Sequence, residues 1–151
     1  MKLCQKGECM LDNIIKIELE SNPANEKIAR QIVSSIIVDL NPTIEEMCDI
    51  KTAVSEAVTN SIIHGYKNTK GTIYITTRVK DAEITIEIAD FGVGIEDVER
   101  AREPLYTSEP EMERSGMGFT VMESFMDSVD VISEKDFGTK VVMRKKIRHN
   151  V

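Results

Sequence analysis

Residues 72–94 read TIYITTRVKDAEITIEIADFGVG and contain two adjacent strands followed by a glycine turn. Within this stretch Ile84, Ile86 and Ile88 alternate with other residues, and a period of two is the pattern of a strand that buries one face. The short turn at 80–82 joins the two strands into a hairpin, and a similar pattern recurs near the end of the chain. The predicted strands, in two antiparallel hairpins, are 72–79, 83–90, 129–134 and 139–147.

The first part of the chain has helical periodicity after one half-buried strand at 15–20. A first helix runs to about Leu40, and a second begins at Thr43, where Glu46 is placed for a capping box, and reaches about His64. The apolar residues that recur at helical spacing in the first helix are Ile28, Ile32, Val33, Ile36 and Leu40. Early helices and late hairpins predict an α+β fold, with one mixed, mostly antiparallel sheet and helices packed on one face.

Size and composition predict a single domain at 13–151 that follows a flexible tail at 1–12. The chain has 151 residues, of which 41% are hydrophobic and 30% charged. Its formal net charge of −7 argues against direct binding to nucleic acid or to an anionic membrane. The tail lacks the apolar segment of a signal peptide, and Cys4, Cys9 and Cys48 match no zinc spacing. We therefore expect a cytoplasmic protein.

The second helix carries three polar residues on a face that differs from its apolar stripe. With 100° per residue, Asn60 lies about 40° and His64 about 80° from Glu56, whereas the apolar residues centre near 150°. Asn60 offers an oxygen to a hard cation such as Mg²⁺, and Glu56 can accept a proton. The simpler alternative is a solvated helix face.

Asp90 ends an alternating strand and is followed by Gly92 and Gly94. A carboxylate there can accept a hydrogen bond from the amino group of a buried base, and glycines allow the backbone to approach a flat ring. Thr139, in the last hairpin, could contact the same pocket. An ordinary glycine turn is the alternative. Asp90-Phe91-Gly92 also matches a eukaryotic protein-kinase signature, but the glycine loop and the His-Arg-Asp motif of those kinases are missing.

A second glycine pair opens the helix predicted at 118–126. Gly116 and Gly118 would expose backbone amides at the positive end of the helix dipole, and Arg114 would pair with phosphate oxygens. Met117 and Phe119 lie in the same block and are included among the nucleotide-binding residues, although their spacing also fits a helix core.

The connection at 91–115 is unusually long, with two prolines, several charges and a short helical stretch near 96–102. Connections of this length in a compact domain are usually functional lids or disordered segments, and both interpretations stay open for this one.

In this order, the four blocks resemble the GHKL superfamily of ATPases and kinases, which includes DNA gyrase and histidine kinases. The matching blocks are Glu56-x-x-x-Asn60, Asp90-x-Gly92-x-Gly94, Gly116-x-Gly118 and Gly138-Thr139. The resemblance implies the Bergerat ATP-binding fold. The amino-acid sequence at 55–60, 62–66 and 111–127 is similar to that of the sporulation anti-sigma F factors, and the resemblance extends over about 13–147.

That family resemblance implies a serine kinase that binds and inhibits a sporulation sigma factor and phosphorylates an anti-anti-sigma factor with ATP. It implies that Asp90 contacts adenine with Thr139 nearby, that Asn60 holds Mg²⁺ and that Glu56 is the base. Arg114 would reach the γ-phosphate, residues 96–115 would form the ATP lid, and Arg30 on the first helix would bind the partners. The glycines that would shape the pockets for ATP or ADP are Gly92, Gly94, Gly116 and Gly118. Members of the family are homodimers.

Two alternatives stay open at this stage. The chain could be a general-stress-type anti-sigma kinase, or a nucleotide-gated module that holds sigma without kinase activity. The catalytic domain of a histidine kinase is disfavoured because no phospho-acceptor helix pair precedes residue 13. Glu56 favours a kinase over a pure binding module, since ATP binding alone does not require that carboxylate.

Overall fold

A computed structural model describes residues 12–104 and 118–148. Five strands and four α-helices occupy these residues. In chain order they are β1 (Asn13–Glu20), α1 (Ala24–Ile37), α2 (Ile44–Asn60), β2 (Thr72–Lys80), β3 (Glu83–Asp90), α3 (Val98–Ala101), α4 (Gly118–Phe125), β4 (Ser128–Glu134) and β5 (Gly138–Lys146). A 3₁₀ turn at Val38–Leu40 extends α1, and a π-helical turn at Ser61–Gly65 extends α2.

The strands form one sheet in the order β1-β2-β3-β5-β4. All four pairings are antiparallel among the described residues. In the centre of the sheet Ile88 pairs with Ile75 on β2 and with Val141 on β5, and all three side chains are buried. The sequence prediction of an α+β fold with an antiparallel sheet is therefore confirmed.

The core lies between one face of this sheet and helices α1, α2 and α4. The helices contribute apolar residues such as Val33, Ile50 and Met122, and the sheet contributes the alternating isoleucines of β2 and β3. The opposite face of β3 carries Thr85 and Glu87, as expected for a sheet with one buried face. Burial of the alternating set fixes the register, because a slip by one residue would turn every isoleucine to the other face.

The predicted helix boundaries are close to the observed ones. Glu46 N–H donates to Thr43 Oγ1 at 3.0 Å and Thr43 N–H donates to Glu46 Oε2 at 2.9 Å, so the predicted capping box is confirmed. The apolar stripe predicted for the first helix is wrong at Ile28, which is 43% exposed. The neighbouring Ala29 occupies the buried position instead, because the inward face is rotated by one residue.

The later elements also agree with the sequence. The last hairpin has its turn at 135–137, one residue shorter than the 135–138 left between the predicted strands, and α3 lies within the stretch that was expected to be helical. The predicted lid at 96–115 is described only to residue 104, and the predicted tail lies outside the described residues except Asp12. Within 12–104 and 118–148, no helix is long and apolar enough to cross a membrane.

Candidate nucleotide site

A cavity of about 630 Å³ opens between the end of α2, the end of β3, the start of β5, α3 and the start of α4. Six of the residues predicted to bind nucleotide line it: Asn60, Asp90, Gly94, Gly118, Phe119 and Thr139. These residues come from positions 60 to 139, so it is the folded sheet and helices that bring them together. The volume is in the range typical of pockets for small organic ligands.

Asp90 is the buried carboxylate of this cavity, with 5% of its surface exposed. Its Oδ1 accepts a hydrogen bond from Gly92 N–H at 3.0 Å. Burial raises the pKa of Asp90, and this effect is opposed by hydrogen bonds from Gly92 N–H, the Ser61 hydroxyl and Thr139 N–H. These donors orient the carboxylate, and a carboxylate has acceptor sites beyond those they occupy.

Thr139 lies directly opposite Asp90 on the neighbouring strand β5. Its hydroxyl is 2.7 Å from that of Ser133, which also donates to Gly138 O at 2.9 Å and accepts from Ile95 N–H at 2.7 Å. Because Ser133 has a single proton and directs it to Gly138, Thr139 is the donor of the pair. The Thr139 oxygen consequently keeps its acceptor capacity for a ligand.

The start of α4 packs against the polar face of α2. A Cβ atom built on Gly118 would lie 3.2 Å from both amide atoms of Asn60 and 3.4 Å from Glu56 Oε2. The predicted pair Glu56 and Asn60 therefore meets the first residue of α4, and any side chain at 118 would press on Asn60. Asn60 belongs to the cavity wall, whereas Glu56 is one helical turn behind it and is not part of the lining.

These residues fit a nucleotide-bound Mg²⁺ ion. The described residues contain no cluster of three or more histidine, cysteine or acidic side chains arranged for a metal. Mg²⁺ with a nucleotide does not require such a cluster, because phosphates and water usually supply most of its ligands and the protein only one or two. The Asn60 oxygen, with Glu56 one turn away, is a donor set of that kind.

The glycines after Asp90 form a close turn against the π-helical turn. Val93 N–H donates to Gly65 O at 2.9 Å, and a Cβ atom on Gly92 would collide with the same carbonyl oxygen. Gly94 has a φ of +71°, a left-handed conformation that other residues rarely adopt. Glycine at 92 is therefore required for close approach to the backbone of Gly65, whereas the predicted approach of these glycines to a flat ring stays a prediction.

Comparison of this sequence with known proteins identifies the family to which the chain belongs. Residues 19–145 match the family described as Histidine kinase-like ATPase domain. The Anti-sigma F factor of Clostridium acetobutylicum is 56% identical over 137 residues, which cover 91% of this chain and 96% of that protein. That of Clostridium perfringens strain 13 is 57% identical over 138 residues, which cover 91% and 99%. The chain belongs to the anti-sigma F factor family.

A solved structure shares the fold of this anti-sigma F family member. The RsbU and RsbW domains of Rv1364c from Mycobacterium tuberculosis align with a TM-score of 0.66 and 15% identity, over 92% of this chain and 34% of that one. At this identity the likeness concerns the fold alone. A histidine kinase-like ATPase domain implies nucleotide binding, in agreement with the cavity.

Other predicted residues of this family member lie elsewhere or outside the described part. Arg114, Gly116 and Met117 are outside the described residues. Arg30, predicted to bind partners, lies on α1, and its Nε is 3.6 Å from Glu26 Oε1. Arg30 is not among the cavity-lining residues, which agrees with its assignment to a different surface.

Several residues in or beside the cavity were missed by the sequence analysis. Lys67, Arg100 and Lys135 line the cavity together with four carboxylates, and Lys135 Nζ lies 3.4 Å from Glu96 Oε2, which belongs to the same lining. Ser61 and Ser133 hydrogen-bond to Asp90 and Thr139 respectively. No local pattern marks these serines, because their partners are brought to them only by the π-helical turn and the strand register.

Proposed function

We propose that this chain is an ATP-dependent protein serine kinase that also binds and inhibits a sporulation sigma factor. Its substrate in this proposal is a serine of an anti-anti-sigma factor. The observation that carries the proposal is one cavity whose lining includes both the buried Asp90 and Asn60, with Glu56 one helical turn behind Asn60. Membership of the anti-sigma F factor family supports the choice of partners.

Asp90 and Thr139 form the adenine end of the site in this proposal. Asp90 is an acceptor, so it pairs with the exocyclic amino group of adenine, whereas guanine presents a carbonyl at that position. A buried carboxylate facing a carbonyl would leave both acceptors unpaired, and mismatches of this kind reject the wrong ligand strongly. ATP and ADP are therefore preferred to guanine nucleotides.

Asn60 and the start of α4 form the phosphate end. Asn60 is the residue that would hold Mg²⁺, which neutralises phosphate charge when it is bound. The start of α4 borders the cavity through Gly118 and Phe119, and its backbone amides are proposed to bind phosphate, with Lys67, Arg100 and Lys135 as further cationic groups in the lining. Gly118, which has no side chain, leaves the space beside Asn60 open. Arg114 is proposed as a further γ-phosphate ligand, and Gly116 and Met117 as part of the same pocket.

Glu56 is proposed as the group that receives the serine proton. In the transfer, the serine oxygen forms a bond to the γ-phosphorus, the bond from that phosphorus to the bridging oxygen of ADP breaks, and the hydroxyl proton passes to Glu56. Such transfers depend mainly on alignment and charge stabilisation. Glu56 lies behind Asn60, so it is placed to meet a hydroxyl that approaches the γ-phosphate from outside the cavity.

The partner-binding surface is proposed to include Arg30 on α1, away from the nucleotide. The active form is proposed to be a homodimer in the cytoplasm, where sigma factors act. Separate surfaces for nucleotide and partner would allow the same chain to hold sigma and to modify a different protein.

A nucleotide-gated binding module without chemistry is the second candidate. One observation favours it: Glu56 does not belong to the cavity lining. The same cavity would bind ATP in both cases, so only a transfer assay separates them.

The test compares Glu56→Gln with wild type in transfer of radiolabel from ATP to a purified anti-anti-sigma factor. Glutamine keeps the size of the side chain but cannot take the proton, so we expect about a 10²- to 10⁴-fold loss of transfer rate. ATP and sigma affinity should stay near wild type. Glu45→Gln, an exposed glutamate on the same helix, is the matched control and should transfer normally.

Transfer at the wild-type rate by Glu56→Gln would remove Glu56 from the role of base. No transfer by wild type, with ATP-dependent sigma binding intact, would favour the binding module over the kinase.

A further inference from the structure

Tyr66 was not among the predicted site residues, but it contacts the segment that follows Asp90. It follows the π-helical turn, and its N–H donates to Ser61 O at 2.9 Å. Its ring lies over Gly71, where any Cβ atom would overlap it. A π-helical turn inserts one residue into a helix, and such turns are frequent at functional sites because they redirect the residues that follow.

The Tyr66 hydroxyl links the beginning of β2 to the end of β3. It donates to Thr72 O and accepts from Phe91 N–H, the latter at 2.9 Å. A hydroxyl has one proton, so the carbonyl of Thr72 receives it and the lone pairs point towards Phe91. Burial raises the pKa of Tyr66, so the hydroxyl keeps its proton at neutral pH.

The Phe91 N–H belongs to the peptide group that joins Asp90 to Phe91. Fixing this N–H fixes the backbone rotation at Asp90, from which the carboxylate projects. The other side of the segment is held by the hydrogen bond from Val93 N–H to Gly65 O at 2.9 Å. Gly65 itself is close to the carboxylate, since a Cβ atom there would lie 2.8 Å from Asp90 Oδ1. The adjacent residues 65 and 66 therefore hold both sides of the turn that starts at Asp90.

We infer that Tyr66 is a positioning residue for base selection: its hydroxyl fixes the Asp90–Phe91 peptide and so aims the Asp90 carboxylate at the base. This inference rests on the proposed function, in which Asp90 reads adenine. It predicts that removing the hydroxyl weakens adenine recognition more than it weakens binding of the phosphates.

The test titrates ADP, and GDP by competition, into wild type, Asp90→Asn, Tyr66→Phe and Tyr74→Phe. Phenylalanine at 66 keeps the ring over Gly71 and removes one hydrogen bond, so we expect ADP to bind about three- to tenfold more weakly, with GDP nearly unchanged. The ratio of ADP to GDP affinity should fall by the same factor. Tyr74→Phe is the control, because Tyr74 contacts Phe91 through its ring, with centroids 5.5 Å apart, and should keep the wild-type ratio.

The ratio separates positioning from a purely structural role. General loosening of the fold would lower the melting temperature and weaken ADP and GDP equally, and that result would overturn the inference. An unchanged ratio in Tyr66→Phe, with wild type selective and Asp90→Asn unselective, would overturn the inference alone. A wild type that does not prefer ADP would overturn the assignment of Asp90, and with it the basis of the inference.

Amide hydrogen exchange gives a second measurement that does not depend on the folding of a variant. Phe91 is 71% exposed and its N–H donates to the Tyr66 hydroxyl, so protection of this amide in the nucleotide-free wild type reports that hydrogen bond. We expect exchange of this amide to be slowed in wild type. Exchange at the unprotected rate would show that the bond does not form in solution and would overturn the inference.

Discussion

At the scale of single residues, Asp90 illustrates how a binding group can oppose stability. A carboxylate that is buried loses hydration, and three donors around Asp90 compensate only in part, so its pKa is raised. In the proposed function the same burial would make the carboxylate selective, because a polar mismatch has no water to relieve it. The proposed recognition of the base and the stability of the empty protein therefore place opposite demands on this position.

Asp90→Asn should abolish most nucleotide binding and stabilise the nucleotide-free protein at neutral pH. Either the amide nitrogen faces the adenine amino group or, after rotation, it faces Gly92 N–H, so two donors meet in both orientations. We expect ADP affinity to fall about 100-fold by calorimetry. Removal of the buried charge should raise the melting temperature without nucleotide.

The pH dependence of that stabilisation has a definite sign. Because the pKa of Asp90 is raised in the folded state, the ionised carboxylate destabilises the folded protein, and this destabilisation is fully present above the raised pKa. It is relieved as the pH falls through that value towards the unfolded pKa of about 3.9. The difference in melting temperature between Asp90→Asn and wild type should consequently shrink on acidification. A constant difference would mean that ionisation of Asp90 is not its cause.

At this scale the sequence predicted the residues with strong local signals and missed those whose role depends on a distant partner. Asp90 was found because it follows an alternating strand and precedes spaced glycines. Tyr66 was missed because its partner, Phe91, is 25 positions away and meets it only after the π-helical turn. Ser133 was missed because its neighbour Thr139 is reached across the last hairpin.

At the scale of elements, α2 shows the same division. Its start was predicted from Thr43 and Glu46, which interact within one turn and require no tertiary structure. Its end at Asn60 and the π-helical turn were not separated in the prediction, because both are continuous with the same periodicity. The exposure of Ile28 on α1 was also unpredictable from spacing, since the packing against α2 decides which residues of a broad apolar face are covered.

Glu46 also connects the start of α2 to the residues that follow β5, because Arg148 N–H donates to its Oε1 at 2.9 Å. Burial alone would raise the pKa of Glu46, but the N–H groups of Arg148 and Thr43, with the Thr43 hydroxyl, outweigh it and lower the pKa. Glu46→Gln weakens both charge-assisted bonds, so we expect a loss of about 1 kcal/mol of unfolding free energy at pH 7, measured by urea denaturation.

The pKa of Glu46 is lowered in the folded state, so its contribution is present above the unfolded pKa and is lost as the pH falls through the folded pKa. The difference between Glu46→Gln and wild type should therefore shrink as the pH falls below the unfolded pKa of about 4.3 and disappear below the lowered folded pKa. Glu45→Gln, which changes the same charge at an exposed position next to it, should stay within about 0.5 kcal/mol of wild type throughout. Equal effects of the two substitutions would assign the loss to the helix dipole instead of the hydrogen bonds that Glu46 accepts from Thr43 and Arg148.

At the scale of the whole molecule, the cavity proposed for nucleotide and the residue proposed for partner binding belong to different elements. The cavity is lined by the end of α2, the end of β3, the start of β5, α3 and the start of α4, whereas Arg30 lies on α1. The sheet and the core between them were predictable because alternation and helical spacing extend over most of the chain. The cavity as a whole was not, because its shape depends on how loops from distant positions meet.

Arg30→Glu should weaken binding of sigma and of the anti-anti-sigma factor without changing ADP affinity. The substituted glutamate would lie one turn from Glu26, which now forms the ion pair with Arg30, so two like charges would replace an opposite pair on the surface of α1. We expect about a tenfold loss of partner affinity that grows at low ionic strength, because charge reversal at an interface acts through screened electrostatics.

Lys16→Glu, which makes the same charge change at an exposed position of β1, is the control for net charge. Calorimetry with ADP and binding assays with each partner measure both effects. Equal loss in the two variants would assign the effect to net charge, and unchanged partner affinity in Arg30→Glu would remove α1 from the partner surface.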